Sequence, residues 1–367
     1  MKLKPVTIRK QPALKASLAR TFAGYSGSEK SFREMADKLR GAPVLDEAGK
    51  PKYHRTYTHA DIRKIRMKLL NIPDASKTAL PAIIPGRMTK GGTGKTTVMV
   101  NVAVCLAMLG HKVLVIDGDP QGSISAALGV DWTRSQITHI SKLMEWQKKN
   151  VPFNIEDAVW PIYEGGMLDL IPADITMSDE GWMILAQQRE RLFENLIEKQ
   201  SEFFRRYDVV LVDCAPGSSL LSTTLMLGGS KILTVVNPEG QALMALDVLA
   251  STVAELIDVK PIGVHIVCNN VSTGKRPHLD CLNYLAEKYS TIVSGTVIKT
   301  AVGFLRDVKL DNIPENAPLM EREPTSPGAG DIRAVTNEII KAFDIRLAGV
   351  STDPMTAAVE EPVEVAA

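Results

Sequence analysis

The chain has 367 residues, of which 45% are hydrophobic and 23% charged, as is usual for a globular protein with one large core and a smaller one. Its cysteines Cys105, Cys214, Cys268 and Cys281 form no CxxC pair and show no metal-ligand spacing with the histidines, which argues against a zinc or cluster site. No apolar run reaches membrane-span length and the N-terminus lacks an apolar secretion segment, so we expect a cytoplasmic protein.

Charge is distributed unevenly along the chain. Residues 1–80 contain 18 Lys and Arg against 7 Asp and Glu, whereas residues 81–367 contain 25 against 35. A basic segment joined to an acidic body indicates a polyanion partner such as DNA, or a contact between the two halves. A basic face that is simply solvated is the alternative.

The basic segment contains two helix patterns. Residues 1–26 are weakly patterned and predict a basic arm. Residues 29–40, and a second segment that opens at a Thr58–Asp61 capping box, have apolar stripes flanked by lysines and arginines. Over residues 27–72 this pattern, with a turn-rich stretch between the helices, predicts a helix-turn-helix or winged DNA-binding domain with exposed arginines. A dimerisation arm is the rival interpretation.

Residues 73–81 are predicted to be a linker, and from residue 82 onward strand and helix patterns alternate. The strand patterns are at 82–88, 112–116, 167–171, 209–212, 231–236, 262–267 and 292–298, and the helix patterns at 94–109, 178–204, 219–228, 240–257, 279–288 and 331–345. This alternation predicts an α/β fold over 82–348, a mostly parallel sheet with helices on both faces, beside the small α-helical or winged N-terminal domain. Pro85 is unusual for a central strand, and residues 349–367 predict an acidic disordered tail.

A glycine-rich loop follows the first of these strand patterns. Thr89 to Thr97 read Thr-Lys-Gly-Gly-Thr-Gly-Lys-Thr-Thr and lead directly into an apolar helix pattern. In such a loop, backbone N–H groups and the helix N-terminus hold a phosphate chain, Lys95 neutralises it, and the Thr96 hydroxyl reaches Mg²⁺. The predicted nucleotide-binding residues of the loop are Gly91, Gly92, Thr93, Gly94, Lys95, Thr96 and Thr97. Thr89 stands where the usual first glycine would be, and Lys90 is an additional cation.

Three carboxylates follow two other strand patterns. Asp117 and Asp119 come after one buried strand, and Asp213 ends another. Because ligands of open α/β sheets bind at the carboxyl ends of the strands, we expect Asp117 and Asp213 near Mg²⁺. Asp119 is then placed to orient or deprotonate an attacking water. An N-cap aspartate in a polar turn is the alternative for Asp117 or Asp119 taken singly.

Asn269 and Asn270 follow a late strand pattern. The amide of Asn269 can both donate to and accept from a purine edge, which makes it a candidate nucleotide contact. A turn-forming Asn pair is an equally good interpretation of this dipeptide.

Together these motifs resemble the ParA/MinD family of deviant Walker ATPases, and specifically its ParA partition branch. The Lys90–Thr97 segment is similar to the family's phosphate loop, in which the first glycine is not required, and Asp117–Gln121 is similar to its D-x-D-P-Q segment. The stretch 208–216 is similar to its Walker B strand, and Asn269 to its adenine-contacting Asn. The basic N-terminal domain is similar to the helix-turn-helix of the longer ParA proteins.

The resemblance implies ATP and Mg²⁺ as cofactors and slow ATP hydrolysis, with Lys90, Lys95 and Asp119 as catalytic residues. It implies a homodimer in the ATP state, in which Lys90 of one subunit reaches the phosphates of the other. The dimer would bind DNA non-specifically on the nucleoid, and a ParB-type centromere-binding protein would stimulate hydrolysis. Plasmid or chromosome segregation would be the function, with operator binding and autoregulation added by the N-terminal domain.

Two alternatives remain open at this point. A MinD-like membrane-associated positioning ATPase would need a basic amphipathic C-terminal helix, but the tail here is acidic. A nucleotide-responsive repressor would not need all three carboxylates. The family's Pro-Arg pair after the last core strand is missing, so Lys299, Arg306 and Lys309 are only candidates for DNA contact.

Overall fold

The computed structural model describes residues 9, 12–40, 56–73, 79–131, 136–179, 181–217, 219–256, 262–306 and 313–350. The strands are β1 (Leu14–Lys15), β2 (Thr56–Tyr57), β3 (Ala82–Gly86), β4 (Val113–Gly118), β5 (Trp160–Tyr163), β6 (Leu168–Ile171), β7 (Val209–Cys214), β8 (Lys231–Val236) and β9 (Gly263–Cys268). The helices are α1 (Ala16–Ala23), α2 (Glu29–Arg40), α3 (His59–Leu69), α4 (Lys95–Met108), α5 (Ser123–Ala127), α6 (Ile140–Lys148), α7 (Gly181–Ile184), α8 (Leu192–Lys199), α9 (Ser201–Phe204), α10 (Leu220–Gly228), α11 (Gly240–Leu256), α12 (Arg276–Lys288), α13 (Leu319–Arg322) and α14 (Pro327–Ala342).

A seven-stranded sheet forms the centre of the molecule, in the order β5-β6-β4-β7-β3-β8-β9. Every neighbouring pair is parallel except β5 and β6. Successive residues of β4 enter different cores: Val113 and Val115 pack on the side of α4, and Leu114 and Ile116 pack on the side of α6 and α8. The sheet is therefore covered on both faces, and the predicted mostly parallel α/β fold is confirmed.

Several element predictions differ from the structure. β5 was not predicted, because a four-residue edge strand with Pro161 at its second position has no apolar run to mark it. The predicted strand at 292–298 contains one isolated bridge, at Val293, and a second bridge lies just after it, at Lys299. The predicted helix at 178–204 is broken into short helices, with Gln188 in the left-handed region at φ 54°.

Pro85 lies inside β3, in the middle of the sheet, where it pairs with Val212 of β7. A proline has no N–H to donate, so its nitrogen must face a side where no bond is needed. Two residues later, on the same side of the strand, Arg87 donates its N–H to the Leu233 carbonyl of β8 at 3.0 Å. The β3–β8 ladder has its only register pair at Gly86, so the missing donor falls before that pairing begins.

Residues 12–40 and 56–73 form a compact N-terminal unit, in which β1 and β2 pair and α1, α2 and α3 pack on each other. Phe32 is central to it, with ring centroids 5.8 Å from Tyr25 and 5.2 Å from Tyr57. The prediction of an arm over 1–26 was wrong for its second part, because Ala19 and Phe22 of α1 are fully buried in this core. The predicted turn-rich stretch lies almost wholly in residues 41–55, outside the described residues.

The prediction of exposed arginines on α3 was also wrong. Arg63 donates to the Gly110 carbonyl at 3.0 Å and pairs with Asp208, and Arg66 donates to the Leu109 carbonyl. Leu109 and Gly110 follow the C-terminus of α4, whose last carbonyls lack helical partners and attract cations. Burial lowers the pKa of Arg66 to about 10, which still leaves it charged at neutral pH. The two arginines therefore anchor the N-terminal unit to the sheet domain.

Asp208 collects the contacts of this anchor. Its carboxylate is fully buried and accepts from Arg63, from the Lys112 N–H at 2.7 Å and from the Ala348 N–H at 2.9 Å. At Gly110, which has φ 84°, a Cβ would lie 2.7 Å from the Cα of Arg63, so the two backbones touch. One carboxylate thus joins α3, the start of β4 and β7, and the C-terminal segment.

The predicted linker and tail fall partly outside the described residues, at 74–78 and 351–367, as does Lys309. Within the described part of the chain, no helix combines the length and apolar character that crossing a bilayer would require.

We predict that Arg63→Ala lowers the free energy of unfolding by about 3 kcal/mol, because it removes the cation in direct contact with the buried Asp208 carboxylate. Urea denaturation followed by circular dichroism measures the loss. The exposed neighbour Lys64→Ala is the control and should change stability by less than about 0.5 kcal/mol. Equal stability of the two variants would contradict the anchor role.

Candidate functional site

The glycine-rich loop lies at the carboxyl edge of the sheet, between β3 and α4. Gly92 and Gly94 adopt φ 78° and 82°, and Gly94 is the N-cap of α4. A Cβ at Gly94 would lie 2.3 Å from the Asn269 side-chain nitrogen, so the position has no room for another residue. The N–H groups at the start of α4 have no helical acceptor, which makes this end of the helix an anion-binding site.

Lys95 and Asp213 form the floor of the loop. The Lys95 ammonium contacts one Asp213 carboxylate oxygen, and the Thr96 hydroxyl donates to the other at 2.7 Å. Asp213 is fully buried and Lys95 is 7% exposed. Gly86, near the start of the loop, pairs with Asp213 in the β3–β7 ladder, which fixes the register of the contact. The structure thus brings together three of the predicted site residues.

Asp117 lies beside this floor, since it pairs with Asp213 across β4 and β7. One of its carboxylate oxygens accepts from the Ser125 N–H at 3.0 Å and hydroxyl at 2.6 Å, and the other from the Asp119 N–H at 3.2 Å. Burial, and then the charge of Asp213, raise the pKa of Asp117 to about 7. These bonds hold the start of α5 against the sheet, and a role for Asp117 at a metal stays a prediction.

Asp119 stands at the same edge and is 7% exposed. Its side chain accepts from the Gln121 N–H at 2.9 Å, which closes a local turn, and its carbonyl accepts from the Gly122 N–H at 2.9 Å. The residue is held at the carboxyl edge of β4 by its own backbone turn, and its role toward water stays a prediction. Within the described segments, no three acidic, His or Cys side chains cluster as a metal site.

Two asparagines hold the loop from the ends of neighbouring strands. Asn269, after β9, donates its side-chain N–H to the Thr93 carbonyl at 2.9 Å. Asn237, after β8, donates to the Gly92 carbonyl at 3.3 Å. Asn269 was predicted to contact a purine, and the structure places it at the loop backbone. Asn237 was not predicted, although its position directly after a buried strand was a usable signal.

Lys90 makes an ion pair that the sequence analysis did not anticipate. Its ammonium lies 2.9 Å from a carboxylate oxygen of Glu239, which directly precedes α11, and both side chains are partly exposed, at 27% and 55%. Lys90 is therefore held at the start of α11. Glu239 lies 149 residues further along the chain, so only the fold could reveal this partner.

Arg87 is a second residue that the sequence analysis missed. It is 4% exposed, and it donates to the Ala215 carbonyl at 3.1 Å. The Gly217 N–H in turn donates to the Thr89 carbonyl at 3.1 Å, so the loop after β7 is tied to the glycine-rich loop. Burial lowers the pKa of Arg87. A basic residue at the end of an apolar strand was the signal that could have identified it.

Comparison with known proteins places this site in a family context. Residues 82–265 match the model of the AAA_31 family, described as an AAA domain. The cell division protein PomZ of Myxococcus xanthus is 28% identical over 317 residues, which are 84% of this chain and 92% of PomZ. The chromosome partitioning protein ParA of Caulobacter vibrioides is 34% identical over 167 residues, which are 45% of this chain and 59% of that protein.

Among solved structures, a McdA–ATP complex from Cyanothece superposes with a TM-score of 0.60. The match covers 73% of this chain and 98% of McdA at 16% sequence identity, so it shows a shared fold.

We predict that Asp117 contributes stability that is lost as pH rises from about 4 to 7. A carboxyl whose pKa is raised on folding binds its proton more tightly in the native state over this range, so ionisation costs stability. Between pH 5 and pH 7.5 the Asp117 contribution amounts to about 2 kcal/mol, from about 1.4 kcal/mol per pKa unit. Urea titrations of Asp117→Asn should lack this component, whereas Asp280→Asn on the exposed side of α12 should retain it. A wild-type profile unchanged by Asp117→Asn would contradict the assignment.

Proposed function

The chain belongs to the AAA_31 family and, with PomZ and ParA as relatives, to the ParA/MinD-type ATPases; from this premise we propose that it is an ATP-driven DNA-partition protein. The observation that carries the proposal is the floor of the glycine-rich loop, where Lys95 and Thr96 both contact Asp213. A lysine, a hydroxyl and a carboxylate under a helix N-terminus are the groups that bind a nucleotide phosphate chain and its metal ion.

The cofactors we propose are ATP and Mg²⁺. The fit rests on the chemistry of the donors: Thr96 and Asp213 offer hard oxygen ligands, and the loop backbone between Gly91 and Gly94 offers N–H groups. Magnesium, when bound, neutralises charge on the phosphates. Lys95 has to give up its contact with Asp213 to reach a phosphate, and that exchange frees the carboxylate for the metal shell. Thr97 lies one residue further into α4 and is proposed to contact the same phosphates.

For hydrolysis we propose that Asp119 acts on the attacking water and that Asp117 positions Asp119. Asp119 lies at the carboxyl edge of β4 and is buried, with 7% of its surface exposed. Asp117 fixes the start of α5 through Ser125 and accepts the Asp119 N–H at 3.2 Å, so it positions the residue that would act on water. This pair of acids at the end of β4 supports ATP hydrolysis rather than ATP binding alone.

For assembly we propose a homodimer in the ATP state, in which Lys90 of each subunit reaches the phosphates of the other. Lys95 already supplies the lysine of the loop floor, so a second lysine is available for a contact between subunits. Such a charge would stabilise the transition state as an arginine finger does. Within one chain Lys90 is held by Glu239, and release from that ion pair would accompany dimerisation.

The proposed partners are DNA and a ParB-type centromere-binding protein, with the chain located on the nucleoid in the cytoplasm. The acidic balance of residues 81–367 places most of the positive charge for DNA in the N-terminal region. Because Arg63 and Arg66 are anchored to α4, DNA contact would fall to the exposed lysines. The N-terminal unit, proposed as a helix-turn-helix domain, would add operator binding and autoregulation.

A second candidate is a positioning ATPase of the cell-division type. The match that favours it is PomZ, a cell division protein aligned over 84% of this chain. The two candidates share the nucleotide cycle and differ in cargo. Binding of the purified chain to a ParB-type partner favours partition, and binding to a cell-division component favours positioning.

We predict that wild-type protein sizes as a monomer without nucleotide or with ADP, and as a dimer with ATP. Lys90→Ala should bind ATP and stay monomeric, because the contact across the interface is lost. Glu239→Gln should dimerise at up to about fivefold lower ATP concentration, since an exposed ion pair holds Lys90 by about 1 kcal/mol at most. Size-exclusion chromatography with light scattering measures each state.

The exposed Lys199→Ala on α8 is the matched control and should behave as wild type. A Lys90→Ala protein that dimerises with ATP as well as wild type would rule out the contact between subunits.

A further inference from the structure

Helix α3 of the basic N-terminal unit and the last described segment of the chain, residues 347–350, meet at Asp208. One of its carboxylate oxygens contacts Arg63 of α3, and the other accepts the Ala348 N–H at 2.9 Å. Residue 350, two residues later, is the last that the structure describes. Residues 351–367 therefore follow a segment that is joined to α3 through the Asp208 carboxylate.

The outer side of α3 is positively charged. Lys64 directly follows Arg63, and Lys68 lies one turn further on, so the two side chains share a face of the helix. Both are exposed, and neither has an ion-pair partner in the part of the chain that the structure describes. We call Lys64 and Lys68 the α3 lysine face. On α2, Lys30 and Lys38 are exposed as well.

The segment that follows residue 350 has the opposite charge. Residues 351–367 contain Asp353, Glu360, Glu361 and Glu364 and no lysine or arginine. Fully extended, 17 residues span at most about 60 Å, whereas α3 is about 16 Å long, so the segment can reach the whole face.

We propose that residues 351–367 dock on the α3 lysine face and compete there with DNA. The first half of this proposal stands on the contacts at Asp208 and on charge; the second rests on the proposed DNA binding. A segment tethered this close has an effective concentration of about 1 mM, so the contact is populated if the free segment binds with a dissociation constant at or below about that value. DNA, with its much higher charge density, displaces it once several phosphates are neutralised together. The contact would thus suppress weak binding to stray polyanions.

The docking is tested without DNA by a fluorescent peptide of sequence 351–367. Its anisotropy is measured against the chain lacking these residues, at about 50 mM salt, where the Debye length exceeds 10 Å. We expect saturable binding that weakens at least fivefold in Lys64→Gln/Lys68→Gln and is absent for a peptide with all four acids changed to amides. The docking is overturned if the peptide binds the lysine variant equally well, or if it does not bind the truncated chain that keeps both lysines.

The competition is tested on a random duplex at the same salt. Removing residues 351–367 should raise affinity about two- to tenfold, and Glu360→Gln/Glu361→Gln should give part of that gain. Asp280→Asn/Glu287→Gln on α12 makes the same charge change elsewhere and should leave affinity unchanged. The gain should disappear at about 0.5 M salt.

The two experiments separate two kinds of failure. If the truncated and full chains bind DNA equally, the competition is overturned although the proposed function stands. If neither chain binds DNA, the proposed function fails, and the peptide titration still decides whether the acidic segment docks.

Discussion

The buried contact between Lys95 and Asp213 is the interaction on which the rest of the site depends. Two full charges are held at the junction of β3, β7 and α4, where each would be costly without the other. Thr96 occupies the second oxygen of the same carboxylate, and Asp117 lies beside it in the next strand. Because β7 lies directly beside β3 in the order β4-β7-β3, Asp213 of β7 reaches Lys95, which follows β3 along the chain.

In the proposed nucleotide cycle this pairing would have to be exchanged. The same carboxylate that now neutralises Lys95 is the group we assign to the metal shell, so a phosphate chain and its metal ion would exchange partners with an existing ion pair and leave no charge buried alone. Lys90 and Glu239 repeat the arrangement at the rim, where exposure makes the pair weak and easily broken. In the proposed cycle, the floor would give affinity for nucleotide, and the rim would control assembly.

Sequence alone predicted the parts of the molecule whose signal is local. The apolar runs of β4 and β7, the glycine-rich loop and the carboxylates at the strand ends were all visible, because burial on both faces and phosphate binding each require particular residues at particular spacings. It did not predict β5, whose four edge residues show no alternating apolar pattern. It also did not predict the contacts of Glu239 and Arg63, whose partners are distant in the chain. Arg63 was expected at DNA because a basic helix looks alike whether its cations face solvent or cap α4.

The most direct test of the account is phosphate release from ATP with Mg²⁺, measured together with ATP binding in wild-type protein and in Asp119→Ala. We expect slow, Mg²⁺-dependent turnover in wild type and at least about a tenfold loss in Asp119→Ala, with ATP binding retained, as for removal of a group that acts on water. Unchanged turnover in Asp119→Ala would contradict the assignment of that residue. Absence of ATP binding in the wild-type chain would contradict the central claim.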